Sequence, residues 1–361
     1  MNIRLRNAYL VALINLLLIS FAAGDVRHEI NFPDILNYET LKCDLHMHTV
    51  FSDGSVWPTV RVDEAWREGL DVISITDHIE YQPHKQDVPT NHSRPYEIAS
   101  RKAKEMNILL VRGTEITRST PPGHFNGIFM EDIQPLDTND LADAIKAANK
   151  QGGFVFWNHP GWKPEAKGWF DIHTKLYENK WLHGLEVANG DSYYPEALQW
   201  CLEKNLTMMG NSDVHQPLTR HATSPENHRT ITLVFAEQKS LKALKEALVA
   251  GRTAVWYQSQ LIGRKKYLEA IFNAAVKIGT PYLRQGNTIW FEITNNSDID
   301  VEMQRVGRQG PEKLTLPANV TTIVKTNINT ETDKTILAYQ ATNFLIAPDK
   351  GLPVNLLIPL Q

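Results

Sequence analysis

An α/β barrel followed by a smaller β-rich domain is the fold that this 361-residue sequence predicts. Three observations carry the prediction. From residue 41 to about 257, short apolar runs alternate with helix-like segments, the pattern of βα units around a parallel sheet. Several of those runs end in histidine or a carboxylate, where barrels keep their active sites. Beyond residue 260 the texture shifts to Thr, Val, Ile and Asn with period-two alternation, which reads as antiparallel strands.

In chain order, MNIRLRNAYLVALINLLLISFAAG sets Arg4 and Arg6 before an apolar core that ends in small residues at Ala22 to Gly24. That is the form of an export signal. The rival reading is a membrane anchor, but Asn15 interrupts a run already short of the roughly 20 apolar residues that a span needs. The expectation is therefore a bacterial protein exported to the periplasm or beyond, with no stable membrane anchor. No cysteine sits at the cleavage region, so lipoprotein anchoring is not supported.

The expected barrel strands are KCDLHMHT, DVISITDH, ILLVRGTEIT, HFNGIFM, GGFVFWNHP, GLEVANG and LTMMGNSDVH. Helices fall between most of them, as in PTVRVDEAWREG with Pro58 in its first turn and DLADAIKAANKQGG closing on glycine. The polar, proline-punctuated stretch Glu80 to Pro95 is long enough for a lid or binding loop, or is a solvated connector. NTIWFEITNNSDIDVEMQ, KLTLPANVTTIVKTNI and TILAYQATNFL read as strands of a small sandwich that carries no chemical motif. The expected division is a signal peptide over 1–24, a barrel over 25–260 and a β-rich domain over 261–361.

Net charge is −4, from 37 basic and 41 acidic residues, and no basic stripe recurs, so nucleic acid is not an expected partner. Cys43 and Cys201 are too few for a disulfide framework. They read as buried thiols, with a single bridge open in an oxidising compartment. Nothing in the sequence fixes the oligomeric state.

The chemistry concentrates in CDLHMHTVFSDGS, Cys43 to Ser55. Side chains alternate along a strand, so Asp44, His46 and His48 share one face while Leu45 and Met47 share the other. Packing alone would favour Val or Ile at such inward positions. Other strands add Asp77 and His78, Glu115, His124, His159, Asp213 and His215, each at or near a predicted strand end. Burying this many imidazoles and carboxylates without cations is costly, and divalent metals supply both ligand partners and charge. Imidazole suits zinc, iron and manganese, and the donors exceed one four-coordinate site, so two or three ions are expected. Asp53 either joins them or only makes an Asp-Gly turn, and Asp77 is expected to orient a ligand from behind.

The ordered set His-x-His, Asp-His, Glu, His, His-Pro, Asp-x-His, running within Leu41 to Tyr257, resembles the polymerase and histidinol phosphatase (PHP) family of metal-dependent phosphoesterases. The resemblance implies a distorted seven-stranded (β/α) barrel with a di- or trinuclear centre. It implies His46, His48, Glu115 and Asp213 for one metal, His78 and His215 for a second, and Glu115, His124 and His159 for a third. Glu115 would bridge. Where many relatives carry a histidine after the first strand, this chain has FSDGS, which puts Asp53 at the position of a second-metal ligand.

Clustered divalent ions make hydroxide available at neutral pH and hold phosphate oxygens for in-line attack, with Asp213 and His215 at the reacting centre. Arg118 and Arg220 are candidate phosphate clamps or ordinary surface arginines. His84 and His221 are candidate proton donors or solvated loop residues. The export signal, the long loop and the C-terminal strands resemble secreted bacterial PHP phosphodiesterases of the Sb-PDE type, which implies hydrolysis of small organic phosphodiesters to a monoester and an alcohol. The alternatives are a phosphomonoesterase acting on histidinol, sugar or inositol phosphates, and a non-catalytic, metal-containing binding module. Exonuclease activity is disfavoured by export and the missing basic groove.

Overall fold

The computed structural model describes residues 26–88, 91–164, 167–218, 228–328 and 334–360. The expected export signal lies outside them. Seven strands make the barrel wall: β1 (Glu39–Asp44), β2 (Val72–Ile75), β3 (Leu109–Ile116), β4 (Phe125–Ile128), β5 (Phe154–Trp157), β6 (Gly184–Asn189) and, after the short β7 (Ser192–Tyr193), β8 (Thr207–Asn211). Outside run α1 (Pro58–Arg67), α2 (Arg94–Glu105), α3 (Leu141–Lys150), α4 (Asp171–Glu178) and α5 (Pro195–Lys204). Every residue of β2, β5, β6 and β8 is buried, as strands covered on both faces must be. Helix starts follow local chemistry: Pro58 opens α1, and the Asp140 carboxylate accepts from the Asp143 N–H at the head of α3.

The sheet departs from an all-parallel barrel at one strand. β4 runs antiparallel to both β3 and β5. Only residues 117–124 join β3 to β4, and so short a link can make a hairpin but cannot make a parallel crossover. The reversal has a consequence for function: His124 precedes its strand while the other candidate ligands lie at or past the ends of theirs, and turning β4 round brings it to the same mouth.

The wall closes between β8 and β1. Backbone bonds run from Asp213 N to His46 O at 2.9 Å and from His48 N to Val214 O at 3.0 Å, just past the two strand ends. Lower in the seam come strands that the sequence reading did not separate: β9 (Ile231–Ala236), antiparallel to β1, then β10 (Thr253–Tyr257) and β11 (Gln260–Gly263). Thr232 Oγ1 bonds both Gly210 N (2.9 Å) and Gly210 O (2.7 Å), and Thr253 Oγ1 donates to Met208 O at 2.8 Å. Between β9 and β10 lies α6 (Leu241–Val249), capped by Ser240.

After α7 (Lys265–Ala275), strands β12 (Val276–Ile278), β13 (Leu283–Gln285), β14 (Thr288–Asn295), β15 (Val301–Arg305), β16 (Lys313–Leu316), β17 (Thr321–Asn327), β18 (Lys334–Ala347) and β19 (Lys350–Pro359) form a two-sheet sandwich. Its inner faces alternate as expected, with Ile289, Phe291 and Ile293 of β14 buried. One sheet continues into the barrel through parallel pairing of β11 with β18, Leu261 opposite Phe344. Asn343 fastens the joint by donating to Ser259 O and Asp300 O, each at 2.8 Å. The two domains therefore share one apolar cluster, which includes Phe235, Leu268, Phe291 and Leu356. Both cysteines are free and buried. Among the described residues no helix is long and apolar enough to cross a membrane.

Gly210 allows β8 to close against β10, because a Cβ there would stand 2.2 Å from Val255 Cγ1. Gly210→Ala is expected to cost about 1–3 kcal/mol in urea unfolding. The double variant with Val255→Ala is expected to cost less than the two single losses summed.

Candidate metal centre

The alternation read in the sequence persists beyond the last ladder residue of β1. Leu45 and Met47 enter the apolar clusters, whereas His46 and His48 are buried on the opposite face, toward the barrel axis. His46 Nε2 lies 3.1 Å from His48 Nε2, 3.3 Å from Glu115 Oε2 and 3.1 Å from Asp213 Oδ1. His48 Nε2 is 3.2 Å from Glu115 Oε2 and 3.0 Å from Asp213 Oδ1. A tetrahedral zinc with bonds of about 2.0–2.1 Å holds its ligands about 3.3 Å apart. These four atoms stand close to that spacing.

Two further groups adjoin the first. Asp53 Oδ1 is 3.2 Å from His215 Nε2 and 3.6 Å from His78 Nε2. Glu115 Oε1 is 3.0 Å from His124 Nδ1 and 3.6 Å from His159 Nε2. The nine candidate ligands read in the sequence thus meet in one cluster, grouped three or four together within coordination reach. Asp53 Oδ1 and Asp213 Oδ1 are buried and accept no hydrogen bond. A divalent cation would give these oxygens the partner they lack, so the donor set fits such ions.

Three of the imidazoles are fixed from behind. His46 Nδ1 donates to Glu186 Oε1 at 2.9 Å, and His215 Nδ1 donates to the Asp213 carbonyl at 2.7 Å. His48 Nδ1 meets Ser52 Oγ at 3.2 Å, and that hydroxyl donates to Asp77 Oδ1 at 2.6 Å. Each contact commits Nδ1 to its proton and leaves the Nε2 lone pair facing the centre. Asp77 also accepts from Thr49 N at 2.7 Å and so ties down the loop that carries Asp53. It stands behind the ligands, where the sequence reading put it. The Asp-Gly turn is also present: a Cβ on Gly54 would sit 2.6 Å from backbone atoms of His48 and Thr49, so only glycine fits there. Asp53 belongs to the turn and to the cluster at once.

Glu186 was not singled out in the sequence, and it is the main omission. Fully buried in β6, it accepts from His46, from Asn211 Nδ2 at 2.9 Å, from His159 N at 2.8 Å and from Asn189 Nδ2 at 2.8 Å. The readable signal was a carboxylate in the middle of the apolar strand GLEVANG. Asn158 was also missed; its Nδ2 donates to Glu115 Oε1 at 2.9 Å. His159 and Asp213 have φ of +31° and +52°, strained for residues with side chains, and the bonds to Glu186 and His46 O hold them there.

Arg118 is not brought to the centre: Glu80, Thr117 O and Thr138 O take its guanidinium, and it does not line the cleft. An acidic neighbour on the 80–95 stretch has captured it. His84 is exposed on that stretch and also does not line the cleft. Arg220 and His221 lie outside the described residues.

Charge and burial oppose each other throughout. Burial alone would raise the Asp213 and Glu115 carboxyls, but the surrounding imidazoles hold both well below the usual carboxylate range. Asp53 is likewise lowered, by His215 and His78 against its own burial. Burial would lower His48, yet its contacts with Asp213 and Glu115 push it up to about 10. His46 is raised in the same way by Asp213, Glu186 and Glu115 against burial. His173 shows the opposite balance: burial lowers it to about 4 while Nε2 donates to Pro122 O at 3.0 Å, which steadies the loop before His124.

The crystal structure of a two-domain protein from Bacteroides vulgatus, containing a predicted PHP-like metal-dependent phosphoesterase, matches with 45% identity and a TM-score of 0.89. The match covers 93% of this chain and 100% of that one. The chain belongs to this family of two-domain PHP-like metal-dependent phosphoesterases. A family model described as an Ig-like domain (DUF5001) matches residues 276–357, the C-terminal sandwich. Fainter likenesses are to a candidate metal-dependent phosphoesterase from Bifidobacterium adolescentis (18% identity, TM-score 0.38, 48% of this chain, 88% of that one) and to an amidohydrolase from Chromobacterium violaceum (15%, 0.38, 48% and 88%). Neither is close enough to bear on activity. No curated protein matches the chain significantly.

Glu186→Gln puts an N–H among donors that need an acceptor, and metal affinity measured by chelator competition should fall about 10–100-fold. The pH dependence of the metal-free protein follows from His48. Its imidazole is raised to about 10 against about 6.5 when unfolded, so its stabilisation is full below pH 6.5 and is lost as pH climbs toward 10. The lowered carboxyls act oppositely, stabilising above about pH 4 and losing that contribution on acidification. Thermal unfolding of stripped protein should therefore be most resistant between about pH 4 and 6.5, whereas metal-loaded protein should not weaken from pH 6.5 to 9.

Proposed function

We propose that this protein is a metal-dependent phosphodiesterase, exported from the cell, that hydrolyses small organic phosphodiesters to a monoester and an alcohol. One observation carries the reading: the donor group His78, Glu115 and His124, together with Asp53, His159, Asp213 and His215, lines an open cleft of about 340 Å³. Structural metal sites are closed by protein ligands, whereas a catalytic site keeps a side open to substrate. His46, His48, Glu115 and Asp213 would hold one ion, Asp53, His78 and His215 a second, and Glu115, His124 and His159 a third. Zinc, manganese and iron suit these ligands.

When bound, such ions acidify water and offset the charge of phosphate oxygens. The chain's own residues aim and shield. Glu186, Ser52 and the Asp213 carbonyl fix the imidazole orientations, and Asp77 holds the 49–53 loop against the cleft. Asn189, Ser192 and Tyr194 line part of the remaining wall with hydrogen-bonding groups. Among the described residues lining the cleft there is no lysine or arginine. A dianionic monoester draws on extra cations, whereas a diester carries one charge and needs room for a second substituent. The open cleft has that room, which supports the diester. The Ig-like domain and the N-terminal signal pattern support an extracytoplasmic setting.

Metal-loaded protein is expected to turn over bis(4-nitrophenyl) phosphate faster than 4-nitrophenyl phosphate; the reverse order would make it a monoesterase. Asp213→Ala removes a ligand worth several kcal/mol of charge stabilisation, so kcat/KM should fall about a thousandfold while the circular dichroism spectrum is kept. Undiminished hydrolysis would remove Asp213 from the mechanism.

A further inference from the structure

One side of the cleft is neither a cation donor nor polar. Trp162 lines it with 47% of the residue exposed. The sequence His159-Pro160-Gly161-Trp162 places the indole there. After the left-handed His159, Gly161 takes φ +118°, a conformation open to glycine, and Trp162 N donates back to His159 O at 3.2 Å. The turn returns the indole over the centre, with its ring 5.7 Å from that of His159 and 5.9 Å from that of His124. Lys163 Nζ lies 4.6 Å from the indole centroid, a cation–π contact that limits its swing. An isolated exposed tryptophan needs no explanation. This one is anchored by a strained turn and stands edge-on to His159 and tilted against His124, two candidate ligands of a polar cleft, with much of its surface open.

We propose that Trp162 is a specificity-determining platform that selects phosphate esters bearing a flat aromatic substituent. The inference rests on the phosphoesterase reading above. The phosphate group goes to the donor cluster and the ring of the ester lies on the indole, within a cleft whose 340 Å³ accommodates both. An alkyl ester reaches the same cluster without that contact. Stacking tolerates different rings because every aromatic has a π-face, so the preference is for ring-bearing esters as a class.

The test uses phenylphosphonate and methylphosphonate, whose P–C bond is not an ester, titrated calorimetrically into manganese-loaded protein. Wild type should bind phenylphosphonate about tenfold more tightly, equivalent to about 1.4 kcal/mol. Trp162→Ala should shrink the ratio to within about twofold at unchanged metal content, and Trp162→Phe should keep most of it. If Trp162→Ala fails to fold, Trp162→Leu serves in its place. A ratio unchanged in the Ala or Leu variant, or no preference in wild type, overturns the proposal. Wild-type turnover of bis(4-nitrophenyl) phosphate is read in parallel. Its absence alongside an intact phenyl preference would count against the catalytic reading and leave the platform standing.

Discussion

The Glu115 carboxylate, fully buried where β3 ends, is the constraint around which the site is organised. Its Oε2 faces His46, His48 and His78, at 3.3, 3.2 and 3.0 Å, and its Oε1 faces His124 and His159. A buried carboxylate must find compensating charge or lose its own. Other buried acids of this barrel are provided for: Asp44 pairs with Arg229 at 2.9 Å, Arg61 faces Glu64 at 2.7 Å, and Glu186 accepts four hydrogen bonds. Glu115, Asp53 and Asp213 have mainly imidazoles around them. In metal-free protein these carboxylates drive His46 and His48 upward against their burial. Divalent cations meet the same demand while leaving the imidazoles neutral.

The fold serves this constraint in specific places. Reversing β4 brings His124 from the start of a strand to a rim otherwise built from strand ends. Closing β8 onto β1 by two backbone bonds puts Asp213 against His46 and His48, across some 170 residues of sequence. Gly210 and the threonines of β9 and β10 make that closure possible below the site. Among the described residues the C-terminal sandwich adds none to the cleft lining but is continuous with the barrel core through β11 and β18. It therefore bears on the centre through stability of the barrel wall.

Much of this was legible in the residues themselves. Alternation in DLHMHT fixed which side chains face inward, and the strand-end positions of Glu115, His159 and Asp213 brought them to one rim. The β-rich texture of NTIWFEITNNSDIDVEMQ and the runs after it matched the sandwich, which begins at Val276 beyond a helix over Lys265–Ala275. What escaped had physical reasons. Chain direction is not written in an apolar run such as HFNGIFM; it follows from the length of the connection before it. β9 and β10 are apolar and central, so they show neither alternation nor turn signals to set them apart. Glu186 reads as one acid in one strand, and its importance comes from four donors contributed by separate segments. Arg118 had the right chemistry for phosphate, but its nearest opposite charge, Glu80, is local and binds it first.

The central claim is that these dispersed donors enclose divalent cations. Anomalous diffraction from crystals loaded with manganese or zinc, collected at the metal edge, tests it most directly. The account predicts separate peaks about 2.0–2.3 Å from His46 and His48 Nε2, from Asp53 and from Glu115, at bond lengths normal for these ligands. A map with no peak among those side chains, or with metal bound only elsewhere on the surface, would contradict it.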